Sequence, residues 1–309
     1  MPDWDILGIG AVAVDDLVYV DSFPVPDSKV IVRDEQREGG GLAGTAMVAA
    51  ARLGARTAFA GILGDDDLSR YTIEELEREG VDCAPVRRQA GARPHHSTII
   101  VDLSTGQRTI LCTRAGVTPL AKTDVTAQLV ARCRILFVDS TEAIAGLHAL
   151  RLARARGIPV VADLERFSGP EMPELTRQVD HLIVGTGFAD QVTGKADPAA
   201  MVRALRNPTQ TACVVTAGEQ GCWYMSRETG DAVRHQPACH VQVIDTTGCG
   251  DVFHGAYAAA IVRGESVPRA ITVATATAGL KATQPGGRRG IPNWAAVERI
   301  IQEQGLECD

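Results

Sequence analysis

Val243-Ile244-Asp245-Thr246-Thr247-Gly248-Cys249-Gly250-Asp251-Val252-Phe253-His254-Gly255-Ala256 is the most informative stretch of this 309-residue chain. It reads as a strand end, a glycine-rich turn and the start of a small-residue helix over Val252 to Val262. Gly248 and Gly250 free the backbone to point successive N–H groups into one spot, and the helix adds the positive end of its dipole there. Such a spot suits an anion, or negative charge that develops during a reaction. Asp251 stands at the same place, where a carboxylate needs a role. Taking a proton from a hydroxyl while phosphate charge builds beside it is one such role. On its own, an Asp at a glycine-flanked helix start is an ordinary N-cap. The rest of the chain decides between the two.

A second stretch is Gly39-Gly40-Gly41-Leu42-Ala43-Gly44-Thr45-Ala46-Met47-Val48-Ala49-Ala50-Ala51-Arg52-Leu53-Gly54-Ala55, a glycine run leading into a small-residue helix. The first stretch resembles D-T-x-G-A-G-D, the C-terminal motif of the PfkB (ribokinase-like) carbohydrate kinases. The second resembles the family's N-terminal glycine loop, which holds the sugar, with the helix that follows. Their order and wide separation also match, so the resemblance spans nearly the whole chain. Within the family, Gly39-Gly40-Gly41 and the tail Thr283-Gln284-Pro285-Gly286-Gly287-Arg288-Arg289-Gly290-Ile291-Pro292 look most like the sulfofructose kinases and their ketose-kinase relatives.

Composition sets the frame. Hydrophobic residues make up 45% and charged residues 22%, as in a soluble globular protein, and aromatics only 4%, so Ala, Val, Leu and Ile must build the core. A net charge of −7 argues against a general nucleic-acid or membrane surface, so any anion site has to be built locally. The eight cysteines (83, 112, 133, 213, 222, 239, 249 and 308) form no C-x-x-C pair and read as reduced thiols of a cytoplasmic protein. Met1-Pro2-Asp3-Trp4-Asp5 lacks the basic start of a signal peptide, and no apolar run reaches the ~18 residues of a membrane span.

Strand and helix signals alternate. Ile6-Leu7-Gly8-Ile9-Gly10 is a buried-type strand, Leu42 to Leu53 a helix, Thr57 to Ile62 a strand and Asp67 to Glu79 an amphipathic helix. Further strands are expected at Ile135–Val138, Pro159–Ala162, His181–Val184 and Ala212–Thr216. Helices are expected at Ala143–Arg156, Pro173–Val179, Phe188–Thr193, Pro198–Leu205 and Pro268–Lys281. This pattern predicts an α/β chain with a mostly parallel central sheet flanked by helices. Leu17 to Glu38 and His95 to Thr113 break the rhythm with β-rich alternation, the latter turning at Ser104-Thr105-Gly106. The resemblance implies a single ribokinase-like domain over 1–309, with a small β-sheet lid from approximately 14–39 and 95–114 that also carries a homodimer interface.

The resemblance also assigns roles. Asp251 is the expected base, and Gly248, Cys249 and Gly250 the backbone cradle for the γ-phosphate. Thr216-Ala217-Gly218-Glu219-Gln220-Gly221 follows an apolar strand and is similar to the family's ATP loop, and Thr275 falls near the adenine side. Asp15, Gly40, Gly41, Thr45 and Lys29 are the expected sugar-binding residues. Asp245, Thr247, Lys281, Gln284, Gly286 and Gly290 match a monovalent-cation (K+) site built mostly from backbone carbonyls. Magnesium is expected with ATP. A thiol at a helix N-terminus, Cys249, is a candidate for a lowered pKa.

Three departures qualify this reading. Thr45 stands where the family often has Asn. Gly185-Thr186-Gly187-Phe188 occupies the place of N-x-x-E, so magnesium must rest mainly on nucleotide phosphates and water. Cys112 and Thr141 replace anion-binding side chains of the sulfofructose subgroup, leaving Lys29, Arg33, His95, His96, Arg108 and Arg114 as lid cations for any acidic substituent. The expectation is an ATP-dependent kinase for a fructose-like keto sugar, with or without an acidic group. The alternatives are a nucleoside or vitamin kinase of the same fold, and a non-catalytic sugar-binding protein derived from a kinase.

Overall fold

The computed structural model describes residues 2–105 and 107–306; Gly106, in the predicted hairpin turn, and Cys308 lie outside this range. The first half contains β1 (Trp4–Ile9), β2 (Ala13–Val20), β3 (Asp34–Gly40), α1 (Leu42–Arg52), β4 (Thr57–Ala60), β5 (Ile62–Leu63) and α2 (Asp67–Arg78). Next come β6 (Val81–Asp82), β7 (Arg87–Arg88), β8 (His95–Asp102), β9 (Arg108–Thr113), α3 (Ala127–Val130) and β10 (Cys133–Asp139). The chain continues through α4 (Ala143–Arg154), β11 (Val160–Asp163), α5 (Met172–Gln178), β12 (His181–Gly185), α6 (Thr186–Thr193) and α7 (Pro198–Leu205). It closes with β13 (Ala212–Thr216), β14 (Cys222–Ser226), β15 (Arg234–Gln236), α8 (Cys249–Arg263), α9 (Val267–Ala282) and α10 (Trp294–Gln304).

Among the described residues, nine strands form the main sheet in the order β15-β14-β13-β12-β11-β10-β1-β4-β6. The run from β13 to β6 is parallel, and β14 and β15 add an antiparallel edge. Helices cover both faces, so the central strands are apolar on both sides instead of alternating. Ile135 and Phe137 of β10 pack into one core with α1, α8, α9 and α10, while Leu136 and Val138 pack into a second core with α4 to α7.

The two segments that break the rhythm form a separate four-stranded sheet, β3-β2-β8-β9. The β2–β3 and β8–β9 pairs are antiparallel, and β2–β8 is parallel. β2 starts four residues after the end of β1, and β3 ends two residues before α1, so this sheet rises from the carboxyl end of the main one.

Several boundaries differ from the sequence reading. Val243 to Asp245 is not a strand end: the amides of Ile244 and Asp245 both donate to the carbonyl of Ala282, so the segment satisfies the last turn of α9 and forms no ladder. The helix after it begins at Cys249, placing Gly250 and Asp251 inside its first turn. The strand expected over Thr57 to Ile62 is split at Gly61, with β4 in the main sheet and β5 paired to β7. Residues 21–33, expected within a β-rich segment, hold no strand.

α8 is largely enclosed, with ten of its fifteen residues buried. Its small side chains let α1 approach: a Cβ on Gly255 would lie 2.1 Å from the Ala46 carbonyl oxygen. Gly255→Val should therefore force the two helices apart and lower stability by about 2–3 kcal/mol, read as a fall in the urea midpoint with the m-value unchanged.

Candidate active site

Gly248 adopts φ +72° as the N-cap of α8, and a Cβ there would lie 2.9 Å from the Gly287 carbonyl. No side chain caps this end. The Cys249 amide turns back to Thr246 O at 3.2 Å. The amides of Gly248, Gly250 and Asp251 find no acceptor among the described residues, so the expected cradle is shifted by one residue and leaves out Cys249. Unpaired amides at a helix start are a ready site for negative charge.

Asp251 stands in this first turn. Burial, then the carboxylates of Asp163, Glu165 and Asp139, push its pKa well above the ordinary range, with Arg288 acting the other way. Burial also pushes the Cys249 thiol up, and its Sγ donates to Ala278 O at 3.5 Å. The expectation of a lowered thiol pKa is corrected on that ground: desolvation of the thiolate outweighs the helix terminus.

Beside the cradle, a cavity of about 780 Å³ is lined by Thr216, Gly218, Gly221, Thr275, Cys249 and Gly250, among others. The four residues expected to hold the nucleotide therefore share one space with the start of α8. The Thr275 hydroxyl is buried there with no hydrogen-bond partner among the described residues, which leaves it free for a ligand.

The glycine loop meets Asp15 from the other side. A Cβ on Gly40 would lie 2.5 Å from Asp15 Oδ2, and Gly41 takes φ +87° against Ala11 and Val12. Burial raises the Asp15 pKa, opposed by a hydrogen bond from Ser97 and the charges of Arg288 and His96. The loop is held by Asp139, a fully buried carboxylate. Its Oδ2 accepts from Ala11 N (2.7 Å) and Ala43 N (3.2 Å), and its Oδ1 accepts from Thr141 N (2.8 Å).

Arg288 was not singled out from the sequence. Its side chain runs under the loop, where Nε donates to Thr45 Oγ1 (3.2 Å) and Nη2 to Gly40 O (2.8 Å). Cβ atoms on Gly39 and Gly44 would lie 2.3 and 2.7 Å from its nitrogens, so the bare backbone there makes room for the guanidinium. Its neighbour Arg289 is exposed and pairs with Glu38 at 2.7 Å. Nothing in the residue type separates the buried arginine from the surface one.

Three of the six cationic side chains expected at the lid, Arg33, His96 and Arg108, are committed to carboxylates. Arg33 pairs with Asp21, and His96 with Asp16 at 2.9 Å. Arg108 bonds Asp245 Oδ1 (3.1 Å) and Thr247 Oγ1, bridging β9 to the glycine-rich turn. Arg114 is exposed, and His95 is half-buried with its pKa pulled down by desolvation and by Arg114. Lys29 is exposed on the stretch 21–33, with no ion pair among the described residues, and is not brought to Asp15 or the loop by any contact.

The residues expected to ligate a monovalent cation do converge. Asp245 Oδ2 accepts from Gly286 N (2.9 Å), Gln284 N donates to Lys281 O (3.2 Å), and Gly290 packs on the Lys281 carbonyl. The fully buried Lys281 then turns its ammonium onto the Asp245 carbonyl at 2.9 Å. A potassium ion on that oxygen would stand against a fixed positive charge in a low-dielectric setting, so the donor set does not fit the cation and that expectation is corrected. Melting temperatures in potassium chloride and in tetramethylammonium chloride at equal ionic strength should coincide, whereas a bound ion at a hundredfold excess over its Kd would add about 2.7 kcal/mol.

Comparison with known proteins agrees with this geometry. The profile described as pfkB family carbohydrate kinase matches residues 5–294. The chain is 29% identical over 288 residues to Fructokinase-1 of Oryza sativa subsp. japonica, covering 85% of this chain and 88% of that protein. A structure provisionally named a ribokinase from Agrobacterium tumefaciens superposes with a TM-score of 0.90 at 29% identity, over 97% of this chain and 98% of the other. Arabidopsis thaliana ribokinase, solved with ribose and ATP, shares the fold at a TM-score of 0.85 and 22% identity, covering 97% and 99% of the two chains. The chain belongs to the pfkB family of carbohydrate kinases.

Proposed function

We propose that this kinase transfers the γ-phosphoryl group of Mg-ATP to a hydroxyl of a fructose-like keto sugar. The observation that carries the reading is the convergence on Asp251. The unpaired amides of Gly248, Gly250 and Asp251 open the helix that carries it, and the Arg288 guanidinium, bonded to Gly40 O and Thr45 Oγ1, acts by its charge on both Asp15 and Asp251.

In this reading Asp251 takes the proton from the acceptor hydroxyl, and the free amides stabilise the charge that develops on the transferred group. Asp15 accepts from sugar hydroxyls, and Gly40 and Gly41 bring the backbone close. Thr216, Gly218, Gly221 and the unpartnered Thr275 hydroxyl face the nucleotide. Among the described residues no group of three or more acidic, histidine or cysteine side chains is set to hold a metal. Magnesium then enters with ATP on phosphate oxygens and water, a coordination it accepts readily. The four-stranded sheet serves as a lid that excludes water during transfer. Three of the six lid cations, Arg33, His96 and Arg108, are already paired with carboxylates, which favours a neutral keto sugar over a sulfonated one.

ADP release with Mg-ATP across fructose, tagatose, ribose, fructose 6-phosphate, sulfofructose and adenosine tests the acceptor class. Asp251→Asn should keep the fold and lose about 10²–10⁴-fold in kcat, the range ascribed to a general base. Near-native turnover by that variant would remove Asp251 from the mechanism.

The lid also supports a homodimer. β9 is exposed along its whole length, and Ile110 and Leu111 leave more than half of their surface open. An apolar edge strand of this kind pairs readily with another chain. Light scattering should give twice the chain mass, and Ile110→Glu combined with Leu111→Lys should give a monomer. A monomeric native protein would end the proposal.

A further inference from the structure

Beneath Asp251 lies a pair of groups that the family motifs do not name. His254 follows one turn later on α8 and is 3% exposed. Its Nδ1 lies 2.7 Å from Gly250 O, and its Nε2 lies 3.0 Å from Ile183 O. A backbone carbonyl only accepts, whereas a neutral imidazole carries one N–H and one lone pair. In either neutral tautomer one carbonyl would therefore face a lone pair at hydrogen-bond distance. Only the imidazolium donates to both.

Its counter-charge is at hand. Asp163, at the end of β11 and also 3% exposed, brings Oδ2 to 3.3 Å from Nδ1. That oxygen makes no hydrogen bond among the described residues, because the Nδ1 proton is directed at Gly250 O. The contact is one of charge against charge. Glu165 and Asp139 add negative charge from the ends of β11 and β10, Asp251 does so from the same helix, and the Phe137 and Phe253 rings pack edge-on. Burial pulls the His254 pKa down, and the two carbonyl bonds and the neighbouring carboxylates push it up. The carbonyls decide the balance, since a neutral ring would turn a nitrogen lone pair onto a carbonyl oxygen at 2.7 or 3.0 Å.

We propose that His254 is a resident imidazolium that, paired with Asp163, keeps Asp251 ionised. It is a positioning residue for the base and touches neither substrate. The inference rests on the reading of Asp251 as the base. Asp163 is the largest like charge acting on Asp251. With the imidazolium beside it, the pair is close to neutral and Asp251 ionises against a smaller field. Without it, the like charge of Asp163 acts on Asp251 unopposed and favours its protonated form, which cannot act as the base.

The first test reads the ring directly. In protein labelled with ¹⁵N-histidine, both His254 nitrogens should remain protonated at about pH 7.5, a full unit above the free imidazole value, with His254→Gln identifying the signals. A ring with one bare nitrogen overturns the proposal. The second test is the pH profile of kcat. Asp251 acts when deprotonated, so activity rises with pH through its pKa, and a higher pKa moves that limb to higher pH. His254→Gln should move the acid limb up by about one unit, a roughly tenfold loss on the acid side, with kcat recovered at alkaline pH and KM for ATP unchanged. An equal loss at every pH, with the limb in place, would mark a packing role and overturn the proposal. Should the variant fail to fold, the ring nitrogens of the native protein decide alone. Absence of turnover on every sugar would count against the kinase reading, and the ring measurement would still judge the imidazolium.

Discussion

The carboxyl end of the sheet is organised around the carboxylate of Asp139. A fully buried carboxylate is tolerated only where donors replace its water, and here they come from three separate places: the chain leaving β1, the first turn of α1 and the turn after β10. The end of β1 leads into Asp15, and the start of α1 holds the glycine loop, so one side chain sets the distance between the two parts proposed to face the sugar. The loop can then use bare backbone toward a ligand, because its position is fixed from behind.

The positive charge at the site has a different origin. The chain is acidic, with Asp139, Asp163 and Asp251 gathered at neighbouring strand and helix ends. The cations that offset them are brought in by the stretch from 281 to 288. Lys281 reaches the Asp245 carbonyl, and Arg288 reaches Gly40 and Thr45. Each is a buried cation bound to neutral oxygens and not to a carboxylate, so its charge stays available to its surroundings instead of being cancelled by a close partner. Thr45 matters in this light. A shorter side chain than the family's usual Asn gives the guanidinium both space and an acceptor.

Much of this was legible in the sequence. The alternation of apolar strands and helices gave the layered α/β fold, and the glycine-rich turn before Asp251 does open a helix whose first amides are unpaired among the described residues. The four nucleotide residues do share one cavity. The misreadings have local causes. Val243 and Ile244 look like strand residues, yet the amides of Ile244 and Asp245 complete the end of α9, a tertiary demand that propensity does not carry. Cys249 sits at a helix start, yet burial governs its thiol. Arg288 and Arg289 are adjacent and identical in type, and only the packing of Gly39 and Gly44 separates them. Lys281 is expected to offer only its carbonyl, because an ammonium cannot ligate a cation, and that chemistry says nothing of where the ammonium itself lies. Whether a lysine is buried depends on what the rest of the chain places around it.

α8 is apolar on nearly every side, and it also carries the acid and the free amides at its tip. The interior scaffold and the reactive end are thus one continuous rod. The four-stranded sheet, to which the proposed reading gives acceptor preference, is built from other segments of the chain, β2, β3, β8 and β9. Changes of substrate taste can accumulate in the outer sheet without disturbing the rod, whereas changes along the rod alter both durability and chemistry together. A protein divided in this way is free to diversify in what it accepts while remaining conservative in what it does.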